Sequence, residues 1–354
     1  MDPTTAATVP ATPGQATDPA PPPQPPKNDP ELQRDIEAAA GTISIIRQGF
    51  EQTIIGQAEL LDSILVTLIS QGHILIEGVP GLAKTTAVRA VASSVGANFV
   101  RIQCTPDMLP SDILGNQIYN PQKHEFITQV GPINHQFVLV DEINRTGAKT
   151  QSALLEAMQE RRISIGGDTL KLPEGFIVLA TQNPIEQEGT YLLPEAQLDR
   201  FLIKHVVTYP TIEEEIQIMK SHDSTGQLSL PEAQAKIEDV NALQSIAKRI
   251  HIEDRVLQYI GNVVAATRNP ASFNLPDLAP YIEVGASPRA SLALVAAGRA
   301  NALINGHTYV TPDHIKPYLP RILRHRIALS YEADAENTTT DQLIERIGAG
   351  VLVP

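Results

Sequence analysis

One stretch limits what this chain can fold into more than any other: Gly78-Val79-Pro80-Gly81-Leu82-Ala83-Lys84-Thr85, set between an apolar run at 73–76 and an apolar-periodic stretch at 86–95. This order predicts a strand, a phosphate-binding loop and a helix. Such a loop turns successive backbone N–H groups toward phosphate oxygens at the positive end of the helix, where first-turn donors have no intrahelical partner. Lys84 then reaches the β and γ phosphates, and the Thr85 hydroxyl goes to Mg²⁺. Ala83 departs from the usual pattern, which has glycine before the lysine.

The rest of the chain supplies the frame for such a loop. Segments 73–76, 99–103, 137–140, 176–180 and 203–207 are short and nearly continuously apolar, as strands buried on both faces are. Helical stretches separate most of them, so the expected fold is α/β: a parallel sheet wrapped by helices. Thr211 and Glu214 form a capping box that opens a new helix. Beyond it the periodic segments 212–220, 233–249, 253–267, 288–303 and 312–328 all read as helical, so 211–335 is expected to be an all-helical second domain. The tail from 336 to 354 carries only a weak helical pattern. Residues 1–30 are rich in Pro, Ala, Thr and Gln and are expected to be a disordered tail.

Composition narrows the partners. The formal net charge of −13 opposes nucleic-acid binding, and the absence of Trp leaves few stacking platforms. Segment 161–172 alternates around Gly166-Gly167-Asp168 and reads as a β-hairpin with an acidic tip, which also argues against gripping a nucleic acid. The single cysteine, Cys104, reads as a buried hydrophobe. No stretch is long and apolar enough to span a membrane, and no secretory signal is visible, so a cytoplasmic location is expected.

Four further places carry chemistry. Asp141 and Glu142 end an apolar strand, where carboxylates need a partner; Asp141 is read as holding Mg²⁺ and Glu142 as polarising a water in line with the γ phosphate. Asn183 follows the next apolar strand and is read as orienting that water. Arg200 is a candidate arginine finger for a neighbouring subunit's nucleotide, and Arg145 a second interface cation. Ser287 and Pro288 predict a helix start with Arg289 in its first turn, where a cation conflicts with the helix dipole unless an anion is near. That anion is either a phosphate approached from the lid side or an acid such as Glu283.

Together these strings resemble an AAA+ ATPase, and their wording is similar to the MoxR family. The resemblance covers about 35–330 and extends to Thr105-Pro106-Asp107, Gly131-Pro132-Ile133, Asn144-Arg145, Leu193 to Phe201, Gly285 to Ala290 and Leu323-Arg324-His325-Arg326. It makes Ala83 a family feature. It implies an AAA+ αβα nucleotide-binding core over 31–210 with insertions near 111–130 and 161–172, followed by the helical lid. ATP and Mg²⁺ are the implied ligands, with Ile55, Gly56 and Gln57 near the adenine and Gly78 through Thr85, with Thr86, around the phosphates. A homo-oligomeric ring, a hexamer, is implied, with Arg200 acting between subunits. The implied work is chaperone-like maturation or activation of partner proteins, often ones with von Willebrand factor A domains. ATP-gated assembly with incidental turnover, and nucleic-acid remodelling, are the competing readings.

Overall fold

The computed structural model describes residues 29–185, 190–225 and 230–353. The expected tail therefore lies outside the described residues except at its end. There Asp29 caps the first helix through its carboxylate, which accepts from the Glu31 and Leu32 N–H groups, and Pro30 takes the first helical position.

In chain order the first part runs α1 (Pro30–Thr53), α2 (Ala58–Ile69), β1 (Ile74–Glu77), α3 (Lys84–Ser94), β2 (Phe99–Gln103), α4 (Pro110–Leu114), β3 (Gly115–Asn120) and β4 (Glu125–Val130). It continues with β5 (Phe137–Asp141), α5 (Ala148–Glu160), β6 (Arg162–Ile165), β7 (Asp168–Lys171), β8 (Ile177–Gln182), α6 (Glu195–Leu198) and β9 (Ile203–Val206). Five strands form one sheet in the order β2-β5-β8-β1-β9, and every pairing within it is parallel. The side-chain alternation of strands sorts this sheet's core into two layers. Ile74, Ile76, Phe137, Leu139, Ile177 and Leu179 pack with α1, α2 and α3 on one face. Leu75, Val138, Val140, Val178 and Ala180 pack with Leu154, Leu155 and Met158 of α5 on the other.

The parallel register aligns the strands' carboxyl ends. Gln103 stands beside Asp141, and Glu77 beside Gln182. Strands that are apolar along their length thus finish in polar residues at one edge of the sheet, where open α/β folds bind ligands. Two antiparallel hairpins interrupt the pattern. The expected hairpin at 161–172 is β6–β7, turned by Gly166 (φ +56°) and Gly167 (φ +98°), the signs a tight hairpin turn requires. The insertion near 111–130 is α4 plus the β3–β4 hairpin. Gly115 and Gly131 close its base where nothing larger fits: a Cβ on Gly131 would lie 2.3 Å from the Ile113 carbonyl oxygen.

The second part begins with α7 (Ile212–Thr225), opened by the expected capping box: Thr211 N–H donates to Glu214 at 2.8 Å and Glu214 N–H to Thr211 Oγ1 at 3.2 Å. Then come α8 (Ile237–Arg249), α9 (Asp254–Ala266), β10 (Ile282–Val284), α10 (Pro288–Ile304), α11 (Pro312–Ile315), α12 (Leu319–Leu323), β11 (Ala328–Leu329), α13 (Tyr331–Ala335) and α14 (Thr340–Gly350). Two expectations change here. The single helix expected at 312–328 breaks into α11, a 3₁₀ turn at Lys316–Tyr318 and α12, because Pro317 and Pro320 have no N–H to extend a helix through them. The region is also not purely helical, since β11 returns to pair antiparallel with β10. Among the described residues no helix is long and apolar enough to cross a membrane.

Candidate active site

The loop after β1 is anchored before it turns. Gly78 N–H donates to the Gln182 carbonyl at 3.2 Å, tying the loop to β8, and a Cβ on Gly78 would press on Val207 at 3.0 Å. Gly81 (φ +88°) and Ala83 (φ +52°) take left-handed backbone, and α3 starts at Lys84. The position before the lysine thus has the conformation that favours glycine, although alanine fills it. Lys84 Nζ donates to the Gly78 carbonyl. Burial pulls its ammonium pKa below the ordinary value, partly offset by the negative charges of Asp141, Glu142 and Glu77.

A cleft of about 350 Å³ brings together Pro80 through Thr86, Arg101, Asp141, Glu142, Thr181 and Asn183. Asp141, at the end of β5, is held on both oxygens. Its Oδ1 accepts from Thr181 Oγ1. Its Oδ2 accepts from Arg101 Nε at 2.9 Å and Nη2 at 2.6 Å, and faces Thr85 Oγ1 at 3.5 Å. Glu142 has φ +57°, so the chain turns sharply after β5. Its N–H donates to Thr181 Oγ1 at 2.9 Å, while its Oε2 accepts from Gln103 Nε2 and from Arg145 Nη1, each at 2.9 Å. Arg145, expected at an interface, pairs with Glu142 of its own chain. Asn183 is buried, and its Oδ1 accepts from the Ile185 N–H at 3.2 Å. Cys104, the bland buried hydrophobe of the sequence, is just that: burial and the two nearby carboxylates push its thiol up to about 12.

Thr85 Oγ1 and Asp141 Oδ2 are hard oxygens on one side of the phosphate loop. That donor set fits Mg²⁺, which takes one or two protein oxygens and keeps several waters. The N–H groups at the start of α3, which begins at Lys84, lie where a helix start favours an anion.

Arg200 and Arg289 are placed elsewhere. They line a second pocket of about 370 Å³ with Gln71, Arg161, Asp199 and Arg326, and it shares no residue with the phosphate-loop cleft. Ser287 caps α10, accepting from Arg289 N–H at 3.2 Å, and donates its own hydroxyl to Asp199 Oδ2 at 3.0 Å. That bond aims the first turn of α10 at Asp199, and Arg289 Nη1 lies 3.7 Å from the same carboxylate. The acid beside Arg289 is therefore Asp199 rather than Glu283, and Arg289 does not line the phosphate-loop cleft of its own chain. A Cβ on Gly285 would lie 2.4 Å from the Thr267 carbonyl, so this approach depends on glycine. Arg200 Nε is buried without a hydrogen-bond partner among the described residues. Ile55, Gly56 and Gln57 join α1 to α2 outside the cleft. Gln57 Nε2 donates to the Thr208 carbonyl at 3.1 Å, and Gly56 packs against Glu214.

Arg101, Gln103 and Thr181 were not singled out by the sequence reading. The signal was present in Arg101 and Gln103, two polar residues spaced i, i+2 on one face of an otherwise apolar strand.

A parallel sheet bearing a phosphate loop and an acidic strand end, joined to a helical lid, defines an ATPase of the AAA+ class. Residues 73–203 match the family model described as ATPase family associated with various cellular activities (AAA), and 277–347 match the AAA lid domain. The chain is 46% identical to chaperone MoxR1 of Mycobacterium tuberculosis over 89% of its own length and 84% of that protein's. It is 31% identical to protein MoxR of Paracoccus denitrificans, covering 91% of this chain and 96% of that one. A solved structure from Cytophaga hutchinsonii, assigned as an ATPase, superposes with a TM-score of 0.86 at 41% identity, covering 92% of this chain and 98% of that chain. The chain belongs to the MoxR family of AAA+ ATPases.

Proposed function

We propose that this protein is an Mg²⁺-dependent ATP hydrolase that works as a cytoplasmic ring of identical subunits, a hexamer, and remodels or matures partner proteins. Bound Mg²⁺ supplies charge neutralisation at the β and γ phosphates. Lys84 and the loop N–H groups hold the phosphates, Thr85 and Asp141 hold the metal, Glu142 polarises the attacking water and Asn183 orients it. The observation that carries this reading is the convergence of Thr85, Asp141, Glu142 and Asn183 on the cleft of the phosphate loop. Arg200 and Arg289 face a different pocket of the same chain, which supports their action on a neighbour's nucleotide. The chaperone role follows the name of the relative from Mycobacterium tuberculosis, and partners with von Willebrand factor A domains follow the family resemblance.

Steady-state phosphate release tests the assignment. Lys84→Ala should abolish nucleotide binding, whereas Glu142→Gln should keep ATP bound and lower turnover by roughly 10²- to 10⁴-fold. Undiminished turnover in purified Glu142→Gln protein sinks the role of Glu142. Partner capture that follows ATP occupancy yet ignores turnover would replace hydrolysis with ATP-gated assembly.

A further inference from the structure

Hydrolysis as just described gives Arg101 no task, yet its guanidinium holds one oxygen of the Asp141 carboxylate through two hydrogen bonds. Arg101 sits in the middle of β2, in register with Leu139, and reaches along the sheet past one residue pair to Asp141. Its two donations to this carboxylate, at 2.9 and 2.6 Å, both go to Oδ2. Oδ1 is already occupied by Thr181. Oδ2 is also the atom that faces Thr85 Oγ1, so a cation shared by Thr85 and Asp141 needs the same lone pairs that Arg101 uses. A divalent ion and a guanidinium on one carboxylate oxygen repel each other strongly. One of them must leave.

Arg101 is built to leave. Its side chain is 49% exposed, so it can swing into solvent without opening the core. The geometry points to Arg101 as an internal counter-cation that neutralises Asp141 in the metal-free protein and competes with Mg²⁺ for Oδ2. It is a positioning residue: it sets the Mg²⁺ concentration at which the site loads. Its displacement has a second effect. Arg101 Nη2 also donates to Gln103 Oε1 at 2.6 Å, and Gln103, with Arg145, holds the Glu142 carboxylate. Metal arrival at Asp141 therefore loosens the support of the Glu142 carboxylate through two hydrogen bonds. This inference rests on the Mg²⁺ and nucleotide reading given above.

The test uses full-length protein and a mant-labelled ADP, with binding followed by fluorescence across a magnesium titration. Arg101→Ala should lower the half-saturating Mg²⁺ by roughly five- to tenfold, the scale of one charge-assisted contact at a half-exposed site. Arg101→Lys keeps the charge without the planar fork and should fall between wild type and alanine. Thermal melting supplies the readout that a merely structural ion pair would not reproduce: Arg101→Ala should lower the melting point of the metal-free protein and converge on wild type with Mg²⁺ and nucleotide bound. An unchanged or raised magnesium midpoint in folded Arg101→Ala, with wild type still magnesium-dependent, overturns the inference alone. Should the alanine variant fail to fold, Arg101→Gln gives the same comparison in the same space. Wild-type binding that ignores magnesium overturns both this inference and the functional reading beneath it.

Discussion

Removing the Arg326 guanidinium should loosen the lid from the sheet and disarrange the second arginine pocket together. Arg326 is 3% exposed at its side chain, and its Nε donates to Asp199 Oδ1 at 2.7 Å. Nη2 donates to the Phe201 carbonyl at 2.6 Å and the Asp199 carbonyl at 3.3 Å, while Nη1 donates to the Leu202 and Ile322 carbonyls. Burial lowers its pKa, with Asp199 pulling the other way. Breaking a buried ion pair by removing one partner costs about 3–5 kcal/mol. The lower end applies here, because Asp199 keeps the Ser287 hydroxyl and the more distant Arg289. A chain of this length unfolds with about 0.7 kcal/mol/K of entropy, so a loss of about 3 kcal/mol lowers the melting point by about 4 °C. Scanning calorimetry of Arg326→Met measures it. The double variant with Asp199→Leu should recover part of the loss, since no carboxylate is then stranded. A single variant that melts within about 1 °C of wild type, or a double variant that melts below the single one, refutes the reasoning.

Two further outcomes follow. Arg200→Ala subunits mixed with Lys84→Ala subunits should recover ATP turnover that neither has alone, by pairing an intact loop with an intact arginine across an interface; demonstrated mixed assembly without recovery counts against action between subunits. Acid should also destabilise the fold through two buried histidines. His73 accepts from the Val178 N–H at 3.0 Å on Nδ1, which leaves Nε2 to donate to the Met158 carbonyl, so the neutral ring is fully satisfied and the charged one is not. Burial, with Arg161 nearby, lowers its pKa to about 4. Burial, with Arg321 and Arg324, lowers that of His205 to about 3. Both folded values lie below the unfolded one, so the unfolded chain binds more protons and stability declines as pH falls from about 6.5 toward those values. The pair should contribute a loss of roughly 2–3 kcal/mol between about pH 7.5 and about pH 5.5, read as a falling melting point; a flat profile removes the argument.

What the sequence made legible was whatever lies contiguous in the chain. Lys84 and Thr85 follow their loop, Asp141 and Glu142 end their strand, and Ser287 announces the helix it caps. Contacts between strands were not legible. That Arg101 would meet Asp141 depends on which strand stands beside β5, and the sheet order is set by packing among five apolar segments that read alike. Arg289 shows the same limit: its position in the first turn of α10 followed from Ser287 and Pro288, but its anion is 90 residues away in the chain. The second part erred where periodicity alone carried the reading, since Pro317 and Pro320 break a pattern that is otherwise helical.

Glu142 stands in left-handed backbone at φ +57°, a conformation that costs an L-residue roughly 1 kcal/mol or more and costs glycine no steric strain. Its side-chain bonds to Gln103 and Arg145 lie near the surface and give back little. A glycine at 142 would relieve the backbone and delete the carboxylate proposed to polarise water, so it should make a firmer protein with impaired turnover. Directed evolution of this scaffold for heat resistance alone will therefore drift toward the loss of its own chemistry at this position, and any such campaign has to select for turnover in every round.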